Sequence, residues 1–154
     1  MKKCCFIGHR EVKDSETVYS YLVGTIKDLI EKNNVFEFLF GSIGEFNALC
    51  HKAVTELKLL YPEIKRIYVR AEYPQISDSY KKYLLESYED TFFPEELTNA
   101  TRAVYVKRNY FMIENSDYAV FYYDIEHCKD KKSGTRTAYS YALKKKIQVI
   151  NIKA

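Results

Sequence analysis

Short apolar runs rich in aromatic and β-branched residues alternate along this chain with longer stretches whose apolar residues recur at helical spacing. That alternation is the signature of a parallel sheet covered by helices, because parallel neighbours must be joined by a crossover and a helix is the usual one. Lys3 to Gly8, Phe36 to Gly41, Ile64 to Ala71, Tyr118 to Asp124 and Ile147 to Ile152 read as strands. Between them, Val18, Leu22, Ile26 and Leu29 mark a first helix, with Ser15 as its expected N-cap and Asn33-Asn34 as its end. Phe46, Leu49, Ala53, Leu57 and Leu60 mark a second, which Pro62 stops. Arg102 to Ser116 and Gly134 to Lys146 supply two more. The expected fold is α/β, with a mostly parallel sheet of about five strands and helices on both faces.

Residues 72–101 keep no sustained period and carry Pro74 and Pro94, so they read as a long excursion with short helices, of the kind that serves as a lid or binding segment. The chain has 154 residues, 47% of them apolar and 29% charged, which suits one folded domain over 1–154 with a core of its own. Its net charge of +3 comes from charges dispersed along the chain, so no basic stripe for nucleic acid is expected. No run approaches the roughly 18–20 apolar residues of a membrane span. The first residues hold too short an apolar run for a secretory signal, and the expected location is cytoplasmic. Cys4, Cys5, Cys50 and Cys128 lack Cys-x-x-Cys spacing and read as free thiols; His51 and His127 lack metal-ligand spacing, so no metal and no cofactor is implied.

Open parallel sheets bind ligands beyond the carboxyl ends of their strands. Four of the five glycines fall at those exits, in Gly8-His9-Arg10, Gly41-Ser42-Ile43-Gly44 and Ser133-Gly134-Thr135. Glycine lets backbone approach a ligand closely, and the free N–H groups that open the next helix attract anions, phosphate foremost. The same residues also suit plain turns and caps. Arg10 has the fork that grips phosphate, and His9 beside it has the chemistry to donate a hydrogen bond or shuttle a proton. Arg108 and Asn109 interrupt an otherwise apolar helix at adjacent positions, so one of them is expected to turn toward the pocket. No Gly-x-Ser-x-Gly elbow supports nucleophilic catalysis. Cleavage of an N-glycosidic bond would need a carboxylate, for which Glu45, Asp90 and Asp124 are in reach, with Glu45 and Asp124 as the catalytic candidates.

These blocks, in their order, resemble the SLOG superfamily, which joins the DNA-processing SMF/DprA proteins to the "lonely guy" cytokinin-activating enzymes, and most closely a bacterial branch of single-domain members. The likeness rests on Cys5-Phe6-Ile7-Gly8-His9-Arg10, Phe40-Gly41-Ser42-Ile43-Gly44-Glu45-Phe46-Asn47, Glu56-Leu57-Lys58 with Tyr61-Pro62, and Asp90-Thr91-Phe92-Phe93-Pro94. It continues through Arg108-Asn109-Tyr110-Phe111-Met112, Ser116-Asp117-Tyr118, Ser133-Gly134-Thr135 and Val149-Ile150-Asn151-Ile152. The resemblance implies a Rossmann-like fold and a pocket for a nucleotide or nucleotide-derived ligand, its phosphate near the glycine turns. Where relatives commonly carry Asp this chain has Asn47, and one glycine rather than two follows Ser133. Phosphoribohydrolase relatives place a Glu where Ala138 stands, which weighs against hydrolysis.

The expectation is therefore a sensor or processing module for a small nucleotide-like ligand. Gly8, Gly41, Ser42, Gly44, Ser133, Gly134 and Thr135 would meet phosphate, Arg10 and Arg108 would supply charge, and His9 and Asn109 would fix the sugar or base. Tyr73 and Phe92 would stack on a base or pack the sheet's edge. The alternative is a phosphoribohydrolase or deoxyribosyltransferase. Pairing into a homo-oligomer through helices is open.

Overall fold

The computed structural model describes residues 1–41, 43–127 and 133–153. Its strands are β1 (Lys2–Gly8), β2 (Val35–Phe40), β3 (Lys65–Val69), β4 (Asp90–Phe92), β5 (Tyr118–Tyr122) and β6 (Gln148–Asn151). Its helices are α1 (Ser15–Asn33), α2 (Glu45–Lys58), α3 (Asp78–Leu84), α4 (Val104–Glu114) and α5 (Gly134–Lys145). The six strands form one sheet in the order β4-β3-β2-β1-β5-β6, every neighbouring pair parallel. This is the Rossmann-like α/β fold. No helix among the described residues is long and apolar enough to cross a membrane.

Strand alternation divides the core. Cys4 and Phe6 of β1 face α1 and α2 together with Phe38, Phe40, Val120 and Tyr122, against which Leu22, Ile26, Phe46 and Cys50 pack. Cys5 and Ile7 face the opposite layer with Leu39, Val69 and Phe121, covered by Met112 and Ile113 of α4 and Ala138 and Ala142 of α5. Each large side chain buried this way contributes about 1.5–3 kcal/mol, and both faces of β1 are closed. The crossovers after β1 and β2 carry the chain toward β4, whereas the path through α4 returns it across the sheet to β5. The strand order thus reverses at β1, and the crevice of a doubly wound sheet opens at that reversal.

Two local expectations are corrected. The sheet has six strands rather than five, because the excursion holds β4. Three residues are too few for a visible period, and side chains hold the strand in place. The Arg66 guanidinium donates to both Glu89 oxygens at 3.0 and 2.6 Å just before β4, and Thr91 donates to the Tyr68 carbonyl at 2.9 Å. The first helix is preceded by Asp14 in the left-handed region, and Ser15 is its first residue rather than its cap. Tertiary partners fix that loop, since Lys13 N–H donates to Tyr122 Oη at 3.1 Å and Val12 N–H to Glu45 Oε2 at 3.0 Å. Asn34 does end the helix, at φ 58°, its N–H donating to the Leu29 carbonyl.

A cationic cavity at the strand exits

A cavity of about 860 Å³ lies along the carboxyl ends of β1, β2 and β3, within the size range of small-molecule sites. The β1 exit contributes Gly8, His9 and Arg10, and the β2 exit contributes Gly41 and Ile43. Ser133, Gly134 and Thr135 enter at the start of α5, and Arg108 and Asn109 reach it from α4. Segments more than a hundred residues apart in the chain therefore share one hollow. Tyr68, Arg70, Ala71, Glu72, Tyr73, Tyr80 and Tyr105 complete the wall.

Arg108 and Asn109 are both buried, at 7% and 8% exposure, so both turn inward rather than one. The Arg108 guanidinium touches Asn109 Oδ1 only at 3.4 Å, and its Nε has no hydrogen-bond partner among the described residues. Burial lowers its pKa to about 10, with Tyr68 and Glu72 pulling the other way. It rests 5.5 Å from the centre of the Tyr105 ring. Gly41 makes room for it, since a Cβ there would lie 2.7 Å from Arg108 Cδ and 2.9 Å from its Nε. A buried, unpaired cation is expensive unless something negative meets it.

His9 is oriented by the backbone. Its Nε2 accepts the Asp124 N–H at 3.1 Å, which fixes the proton on Nδ1 in the neutral ring. Burial lowers its pKa below 6.5, with Asp124 pulling the other way. A neutral ring with one donor is the result. Arg10 is exposed, and no described carboxylate pairs with it within 4.0 Å.

Helix α5 begins with its N-cap as read from sequence: Ser133 Oγ accepts the Arg136 N–H at 3.4 Å. Among the described residues that leaves the Gly134 and Thr135 N–H groups of the first turn for an anion. The α2 turn behaves differently. Gly44 does not line the cavity; at φ 115° it adopts a backbone that favours glycine, and a Cβ would sit 2.6 Å from the Arg10 Cα. The first N–H of α2, on Glu45, already donates to the Arg10 carbonyl at 2.7 Å. Gly44 thus serves the packing of two loops. Ser42 lies outside the described residues.

Neither proposed catalytic carboxylate lines the hollow. Glu45 accepts from Val12 N–H, and Asp124 accepts from His127 N–H at 3.2 Å and lies 3.0 and 3.1 Å from His127 Nδ1. Of the two aromatics singled out for stacking, Tyr73 faces the cavity. Phe92 packs edge-on against Phe111 with centroids 5.7 Å apart.

The β3 exit carries no glycine signal, since Tyr68-Val69-Arg70-Ala71-Glu72 has none, and only its place at a strand's carboxyl end marks it. The carboxyl-end rule applied to every strand would have found it. Arg70 is buried there and clamps its own loop, donating to the Tyr73 carbonyl at 3.0 Å, the Pro74 carbonyl at 3.4 Å and Thr91 Oγ1 at 3.1 Å. Among the described residues neither Arg70 nor Arg108 forms an ion pair. The cavity is electropositive, with one aromatic side.

No curated protein matches the sequence. The YpsA family model, described as the YspA SLOG family, matches residues 7–154. That span begins at Ile7, the first residue of the cavity wall, and takes in every segment that lines it. By that match the chain belongs to the YspA SLOG family.

Proposed function

We propose that this protein binds a small nucleotide or nucleotide-derived ligand in the cavity at the strand exits, as a sensor or processing module. The observation that carries the reading is Arg108, a buried guanidinium that forms no ion pair and whose Nε has no hydrogen-bond partner among the described residues, lining a hollow of nucleotide size. A phosphate on Arg108 would also meet the N–H groups opening α5, which orient toward negative charge. His9 Nδ1–H and the Asn109 amide then offer hydrogen bonds to the sugar or base, and the tyrosines offer a stacking surface. Membership of a SLOG family favours a nucleotide over a simpler anion.

Binding is favoured over N-glycosidic cleavage because Glu45 and Asp124 accept hydrogen bonds from their neighbouring loops. The test is thermal unfolding of the purified protein with nucleoside mono- and diphosphates, NAD and inorganic phosphate, followed by chromatography for free base. A nucleotide at a hundred times its Kd should stabilise the fold by about 2.7 kcal/mol. Gly41→Ala, whose methyl displaces Arg108, should lose that response. Indifference to every phosphate compound would end the reading. Release of free base that Glu45→Gln or Asp124→Asn abolishes would establish the enzymatic alternative instead.

A further inference from the structure

Glu72 is the one carboxylate among the described residues that line this cationic hollow. It follows β3, and its only described hydrogen-bond partner is Tyr105, whose hydroxyl donates to Oε1. It makes no ion pair among the described residues, although Arg70 and Arg108 stand in the same wall. A carboxylate has acceptors only, about four lone-pair sites on its two oxygens. One site is used by Tyr105, so the rest are available to hydrogen-bond donors on a ligand.

Tyr105 also sets the spacing. Its ring lies 5.5 Å from the Arg108 guanidinium carbon while its hydroxyl holds Glu72, so a single tyrosine side chain bridges the phosphate-binding cation and the carboxylate. The sugar of a nucleotide likewise stands between its 5′-phosphate and the hydroxyls a carboxylate would accept from. Dinucleotide-binding α/β folds place an acidic residue farther along the chain on the ribose 2′-hydroxyl. Here the β2 exit is Gly41, packed on Arg108, and the next acid, Glu45, is turned to Val12 N–H. The β3 exit supplies the missing acceptor.

Resting on the nucleotide-binding reading, we propose that Glu72 recognises the ligand's ribose by accepting hydrogen bonds from its 2′- and 3′-hydroxyls, with Tyr105 as the residue that positions it. Glu72 thereby selects ribonucleotides over 2′-deoxyribonucleotides. Tyr105 holds Oε1 and leaves Oε2 turned to the sugar.

The experiment is calorimetric titration of the full chain with AMP, GMP, CMP and UMP and their 2′-deoxy counterparts. The wild type, Glu72→Gln, Glu72→Ala and Tyr105→Phe would be compared. A hydrogen bond to a charged group makes the expected ribo-over-deoxy preference about 10-fold. Glu72→Ala should bring it to about 2-fold, weakening the ribonucleotides more than the deoxynucleotides, which keep only the 3′-hydroxyl contact, with Glu72→Gln and Tyr105→Phe between. Equal wild-type affinity for the two sugars would overturn the assignment and leave nucleotide binding intact, and this comparison needs no variant. A preference that persists in Glu72→Ala would overturn it equally. A preference for one base that Glu72→Gln abolishes would move Glu72 to the base and reject the ribose. Absence of binding by all eight would overturn the ribose assignment for monophosphates, while the nucleotide reading falls only if the diphosphates and NAD are ignored as well.

Discussion

Replacing Arg108 with methionine should make the ligand-free protein more stable and deaf to phosphate. Arg108 is 7% exposed and lacks an ion pair among the described residues, and burial lowers its pKa to about 10, well below the usual guanidinium value. At about 1.4 kcal/mol for each tenfold change in proton affinity, keeping it charged inside the fold costs about 3 kcal/mol. Methionine fills similar space without that charge. It gives up the contact with the Tyr105 ring, about 0.5–2 kcal/mol, so the net gain is about 1–2 kcal/mol. For a domain of this length that raises the melting temperature by about 3–6 °C. Because the folded group is the less basic, its cost is fully present below about pH 10 and is relieved as pH rises above that. Urea unfolding near neutral pH therefore sees all of it. The assay compares wild type and Arg108→Met with and without a nucleotide that stabilises the wild type. A variant that unfolds more easily without ligand would show Arg108 to be a structural strut. One that keeps its nucleotide response would show that the cation is not met by the ligand.

Gly44→Ala should destabilise the protein by about 1–3 kcal/mol or more, since φ is 115° and the new methyl meets the Arg10 backbone at 2.6 Å; urea midpoints test this, and an unchanged midpoint contradicts the turn geometry. Gly134→Pro should do the reverse: nothing lies within 4 Å of its added carbon, and proline suits the first helical position. Stability should rise by about 0.4–1 kcal/mol while nucleotide affinity falls through loss of one N–H donor. Full affinity would take the α5 start out of the site. Protonating His9 puts a second donor opposite the Asp124 N–H. Its folded pKa is the lower, so its contribution is present above pH 6.5 and is lost as pH falls through the folded value. Melting temperatures across that range should fall more gently in His9→Gln, and His9 should titrate below 6.5 by NMR.

Periodicity determined the layers. The runs around Phe6, Phe38 and Val120 and the helical stripe from Val18 to Leu29 have one way to bury themselves, because side-chain direction alternates along a strand and recurs every three to four residues on a helix. The strand-exit rule brings His9, Gly41 and Gly134 to a common rim, since a parallel sheet aligns all its carboxyl ends, and Arg108 shows itself instead as a charge interrupting an apolar helix. What the sequence left undecided depended on atoms far apart along the chain. Gly41 and Gly44 look alike in a string of letters, yet one yields space to Arg108 and the other takes a left-handed turn against Arg10. Glu45 and Asp124 have the chemistry of a catalytic pair, but N–H groups of Val12 and His127 lie nearer than the hollow. Glu72, in a stretch with no period, becomes a cavity wall because β4 adds to the sheet edge and Tyr105 reaches across to it. Hydrogen-bond partners are settled by distance in space, and only the folded packing sets that distance.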